Sequence, residues 1–120
     1  MLNYTQDVFK KLPLVSVGIP ETDMPNIQEI TEKTTEIAKK YGVERVWLFG
    51  SYARGENTEK SDIDFRIDKG KIRGLFELCG FRNSLMDSLG KEVDVLTTQS
   101  LDDQFLNHIS GEEILLYEAQ

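Results

Sequence analysis

Val43-Glu-Arg-Val-Trp-Leu-Phe-Gly-Ser51 and, after a polar stretch, Ser61-Asp-Ile-Asp-Phe-Arg-Ile-Asp68 decide how this chain folds. The first run is rich in Val, Trp, Leu and Phe and reads as a largely buried strand ending at Gly50-Ser51, with Trp47 in the core. The second alternates strictly, with Asp62, Asp64, Arg66 and Asp68 on one face and Ile63, Phe65 and Ile67 on the other. That is the pattern of a half-buried strand. Between them, residues 51–55 fit one helical turn and residues 55–61 a polar loop.

Toward the N-terminus, Ile27, Ile30, Thr34, Ile37, Ala38 and Tyr41 recur at helical spacing, and Gly42 is placed to cap the helix. Residues 1–22 read as an extension with a short helix or strand around Phe9–Val17, so the domain proper is expected over residues 23–120. Toward the C-terminus, Ile72, Leu75, Phe76, Cys79, Met86 and Leu89 mark a second long helix, with Gly80 inside it and Gly90 closing it. Cys79, on the apolar side of that helix, reads as a buried structural thiol. Glu92–Thr97 alternates again, with Val93 and Val95 opposite Glu92 and Asp94. Ser100 and Asp103 have capping-box spacing before a helix carrying Leu101, Phe105 and Ile109. Ile114–Tyr117 then reads as an edge strand. The alternation predicts an α/β domain: a small mixed β-sheet packed by helices.

A chain of 120 residues fits one core. Its 21 acids against 14 bases give a net charge of −7, which repels phosphate backbones and argues against long DNA or RNA as a partner. With the single cysteine Cys79 no intrachain disulfide can form, as expected in a reducing compartment. Lys10 and Lys11 precede an apolar stretch, but it is short, broken by Pro13 and Pro20, and lacks a small-x-small cleavage site. No run approaches the ~20 apolar residues of a membrane span. The expected location is the cytoplasm, with no membrane partner.

Three pieces carry chemistry: Gly50-Ser51, Asp62-Ile63-Asp64, and Asp94. Each alone has an ordinary explanation, as a turn, a solvated strand edge or a surface acid. Together they place two carboxylates at alternate strand positions, about 6–7 Å apart, and a third in the same phase on a later strand. Such carboxylates repel one another unless cations lie between them, and Mg²⁺ takes carboxylates, waters and substrate phosphates. A strand that stops at glycine lets backbone approach a phosphate closely, and the turn begun by Ser51 offers free N–H groups and a hydroxyl.

Leu48-Phe49-Gly50-Ser51-Tyr52-Ala53-Arg54-Gly55 followed by Ser61-Asp62-Ile63-Asp64-Phe65 resembles the signature of the DNA polymerase β nucleotidyltransferase superfamily. It is most similar to the minimal nucleotidyltransferases, the antitoxin half of HEPN–nucleotidyltransferase pairs. The resemblance implies the polymerase β-like nucleotidyltransferase fold, with ATP as substrate and two Mg²⁺ ions. Gly50 and Ser51 would then bind the β- and γ-phosphates, and Asp62 and Asp64 would hold both ions. Asp94 would hold the catalytic ion and help deprotonate the acceptor hydroxyl. Arg54 matches the motif's arginine, which neutralises phosphate or braces the turn. The implied activity is transfer of AMP to a hydroxyl of a HEPN-type toxin. Arg66 departs from the pattern; it contacts nucleotide or acceptor, or pairs with Asp68.

Other uses of these residues fare less well. No Gly-Lys-Ser/Thr or Gly-x-Gly-x-x-Gly occurs, and Asp62-Ile-Asp64-Phe-Arg66 puts a cation where a calcium loop needs an oxygen. Two readings stay open beside protein adenylylation: a non-catalytic antitoxin acting by contact, and transfer to a small molecule such as an aminoglycoside. Only about 26 residues follow Asp94, so an acceptor surface is expected from a partner or a second copy of the chain. His108 and Glu92 read as surface residues.

Overall fold

The computed structural model describes residues 24–120; the extension expected at residues 1–22 and its element around Phe9–Val17 lie outside the described residues. Helix α1 (Ile27–Tyr41) begins where the Asn26 side chain accepts the Glu29 N–H at 2.8 Å, a cap that contributes about 1 kcal/mol. It ends at Gly42, whose φ of 73° returns the glycine N–H to the Ala38 and Lys39 carbonyls. The chain continues through β1 (Arg45–Phe49), the single turn α2 (Ser51–Arg54), β2 (Ile63–Asp68), α3 (Gly74–Leu89) and β3 (Val93–Thr97). A 3-10 turn at Thr98–Ser100, α4 (Asp103–Ile109) and β4 (Ile114–Glu118) complete it.

The strands form one sheet in the order β3-β2-β1-β4, with β1 antiparallel to β2 and β4, and β2 parallel to β3. The sheet is therefore mixed, as the alternation of elements predicts. A parallel pair cannot be joined by a hairpin, and α3 supplies the crossover from β2 to β3. On one sheet face Val46, Leu48, Ile63, Phe65, Ile67 and Val93 are fully buried, in one cluster with Ile30 and Ala38 of α1 and Phe81, Leu85 and Leu89 of α3. The opposite face carries the charged side chains.

Where the helices cross, Gly80 makes room for Tyr41: a Cβ there would lie 3.2 Å from the Tyr41 hydroxyl, which meets Ser84 Oγ at 3.1 Å. That crossing corrects the reading of α3. The buried stripe is Phe81, Leu85 and Leu89, whereas Leu75 and Phe76 are 73% and 92% exposed and Cys79 is exposed rather than a buried thiol. The first turn of α3 lies beyond the end of α1 at Tyr41, so among the described residues its apolar side chains have no helix to pack on.

Two further expectations shift. Helix α4 is capped by Asp102, which accepts the Phe105 N–H at 2.8 Å, and not by Ser100, whose hydroxyl donates to the Thr97 carbonyl. Trp47 is half-buried on the charged face, with the Arg66 guanidinium 3.7 Å above its ring, instead of lying in the core. Among the described residues no helix is long and apolar enough to cross a membrane.

Candidate active site

The sheet register brings the three sequence pieces to one end of the charged face. Phe49 pairs with Asp64 across β1 and β2, and Asp64 pairs with Asp94 across β2 and β3. In a parallel pair, register partners point to the same side, so the two carboxylates are neighbours. Asp62 stands exposed just before β2 begins. Immediately after Phe49, Gly50 turns the chain with φ 79° and ψ −156°, a conformation open almost only to glycine. A Cβ on Gly50 would also run into the Asp64 carboxylate. Glycine is thus needed twice at this position, for its dihedrals and for its contact with Asp64. Ser51 then opens α2, whose first backbone bond runs from the Arg54 N–H to the Gly50 carbonyl at 3.1 Å.

Electrostatics mark this corner as costly. Asp64 is pushed up from 3.8 to about 6, first by burial, then by the charges of Asp94 and Asp62 and by a hydrogen bond to Asp94. Arg54 acts weakly in the opposite direction. Among the described residues no three acidic, histidine or cysteine side chains stand close enough to form a ready-made three-ligand cage. Asp64 and Asp94 form a tight pair to which Asp62 contributes charge from the strand mouth. The donor set fits a hard divalent cation: oxygen ligands only, with a mutual repulsion that such a cation would relieve.

Two glutamates that sequence reasoning passed over complete the charged face. Glu112 Oε2 accepts the Gly50 N–H at 2.9 Å, and both its oxygens lie within 3.3 Å of Arg54 Nη1. Arg54 Nε also donates to Glu56 at 2.9 Å. As the structure stands, Arg54 braces the turn. Arg66 does not pair with Asp68: its Nε and Nη2 donate to the two oxygens of Glu113 at 2.6 and 2.9 Å, and its Nη1 donates to Thr98 Oγ1. Asp68 takes Arg45 Nη1 instead, because the antiparallel register sets Arg45 opposite it. His108 and Glu92 are exposed, as expected.

Known proteins resemble this chain in sequence and fold. The family described as "Polymerase beta, Nucleotidyltransferase" matches residues 32–120. A Methanocaldococcus jannaschii protein named "Putative protein adenylyltransferase" is 43% identical over 89 residues, covering 74% of this chain and 96% of that protein. Protein adenylyltransferase MntA of Thermococcus cleftensis is 35% identical over 72 residues, 60% of this chain and 73% of that protein. The fold also superposes, with a TM-score of 0.60 and 18% identity, on a chain of a Shewanella oneidensis complex of a tri-AMPylated HEPN toxin with an MNT antitoxin. That match covers 78% of this chain and 73% of that one. The glycine elbow, the Asp64–Asp94 pair and these similarities lead to one conclusion: the chain belongs to the polymerase β nucleotidyltransferase family and is a nucleotidyltransferase.

Proposed function

We propose that the protein transfers AMP from ATP to a hydroxyl of a partner protein of the HEPN-toxin type, with Mg²⁺ held at Asp62, Asp64 and Asp94. The observation that carries this reading is the register pairing of Asp64 with Asp94 beside the Gly50 elbow. Two carboxylates from adjacent strands and a glycine turn meet there, so cation and triphosphate can be held at one place. Bound divalent cations would supply charge neutralisation on the phosphates and acidify an acceptor hydroxyl.

The residues divide the work. The backbone and hydroxyl of Ser51 hold the terminal phosphates, which orients the α-phosphorus toward Asp94. Asp94, exposed and at the accessible side of the pair, takes the acceptor proton. The acceptor oxygen then bonds to the α-phosphorus, the bond from that phosphorus to the bridging oxygen breaks, and pyrophosphate leaves. Asp64, half-buried, stays a fixed anion beneath them.

A protein acceptor is favoured by the acidic composition and by the names of the relatives. A co-expressed HEPN-type partner analysed by intact mass spectrometry tests it. An adduct of AMP mass that disappears with Asp64→Asn supports the reading. A partner silenced equally by both versions, and unmodified, would mean action by contact alone.

A further inference from the structure

We infer that Glu112 is a positioning residue for nucleotide binding, holding the Gly50–Arg54 elbow in the shape that receives the phosphates. The inference rests on the proposed role of that elbow. Gly50 is held from two sides. Its Cα faces the Asp64 carboxylate, while its N–H donates to Glu112 Oε2 at 2.9 Å. The same carboxylate takes Arg54 Nη1 at 3.2 and 3.3 Å, so one side chain ties the start of the turn to its end. A backbone in so sparsely populated a conformation persists only when its surroundings over-determine it. Glu112 supplies the partner that the Gly50 N–H would otherwise lack.

The glutamate itself rests on a firm base. The N–H groups of Glu112 and Glu113 both return to the Ile109 carbonyl, at 3.0 and 3.2 Å. Glu113 grips Arg66 through two hydrogen bonds with both side chains nearly buried, and Arg66 lies on Trp47. Adjacent glutamates thus reach two strands at once, Glu112 the end of β1 and Glu113 the middle of β2. This anchoring separates two roles that the same contacts could serve. A carboxylate on the Gly50 N–H and a guanidinium could be a stand-in for phosphate, leaving when nucleotide arrives. A side chain whose neighbour is pinned into the sheet is better placed to stay, and then Gly50 and Arg54 serve the phosphates indirectly, by presenting Ser51.

Affinity for Mg²⁺ with α,β-methylene-ATP, which cannot release AMP, tests this, measured beside Mn²⁺ affinity in the absence of nucleotide. Glu112→Ala should weaken nucleotide binding about tenfold or more, the size of a lost charge-assisted hydrogen bond. Glu112→Gln keeps an oxygen for the Gly50 N–H and should stay within about threefold of the unmodified protein. Mn²⁺ affinity should hold within about twofold in both, because the aspartates are untouched. Tighter nucleotide binding on removing the carboxylate would overturn the inference in favour of a competing anion. Unchanged nucleotide affinity in Glu112→Ala, or parallel loss of Mn²⁺ and nucleotide binding, would overturn it too. If Glu112→Ala does not fold, Glu112→Asp, one methylene short of Gly50, carries the same expectation. Failure of the unmodified protein to bind the analogue would instead strike the phosphate role of the elbow.

Discussion

Replacing Asp64 by Asn should stabilise the metal-free protein while abolishing transfer. Asp64 holds its proton more tightly in the folded protein, up to about 6 against an ordinary 3.8. At neutral pH folding therefore forces a charge into a place that disfavours it. The difference corresponds to about 3 kcal/mol at most. The carboxyl is only half-buried, and screening by solvent reduces this to about 1–2 kcal/mol. Well below pH 3.8 both states are protonated and the cost is absent. It grows as pH rises through 4 to 6, where the unfolded chain releases the proton first, and is complete above pH 6. The gain of the Asn variant over the unmodified protein should follow that curve: small at pH 4, and about 5–10 °C in Tm at pH 7.5 with EDTA. Added Mg²⁺ should raise the Tm of the unmodified protein more than that of the variant, since only the former keeps the full set of proposed ligands. Calorimetry across pH 4–8 measures all of this. An Asn variant that is no more stable at pH 7.5, or whose advantage does not change with pH, would refute the account of Asp64 as a strained charge awaiting a cation.

Gly50→Ala should cost about 1–3 kcal/mol in urea denaturation, since alanine must leave its favoured dihedrals and push the Asp64 carboxylate aside; a neutral change would mean that the elbow is not constrained as described. Glu113→Ala should be the more damaging change, about 3–5 kcal/mol, because it leaves the nearly buried Arg66 guanidinium without its partner; the midpoint of denaturant unfolding reads this. Phe76→Ser should fall within about 0.5 kcal/mol of the unmodified protein, the side chain being 92% exposed, whereas Phe81→Ala should cost about 3–5 kcal/mol. A large loss on Phe76→Ser would mean that the first turn of α3 is covered in solution.

Alternation carried most of the fold. The polar phase of Asp62–Asp68 and the β-prone run before Gly50 correspond directly to β2 and β1, and the same phase placed Asp94 beside Asp64 in the register. What periodicity could not supply was the boundary of each packing surface. Leu75, Phe76 and Cys79 share helical spacing with apolar neighbours, yet the contacts of Tyr41 of α1 fall on Gly80, Phe81 and Ser84 of α3. Spacing within one helix says nothing about where its partner ends. Trp47 was misplaced for a related reason: an aromatic on the charged face is covered by Arg66, a cross-strand contact that appears only when β1 and β2 are paired. The glutamates at positions 112 and 113 were invisible for want of a tertiary rule. They lie more than forty residues along the chain from Gly50 and Arg66, and only the return of β4 beside β1 brings them near. Cap position, too, was settled locally by which side chain reaches a free N–H, and Asp102 reaches that of Phe105.

Labelled ATP offered to the protein together with a HEPN-type protein, the proposed acceptor, tests the central claim most directly. With Mg²⁺ present, label on the α-phosphate should appear on the partner and label on the γ-phosphate should not. Transfer should be lost with Asp64→Asn and with Asp94→Asn, both of which should remain folded. Transfer of the γ-label, or undiminished α-labelling by either variant, would contradict a nucleotidyltransferase site built on the Asp64–Asp94 pair.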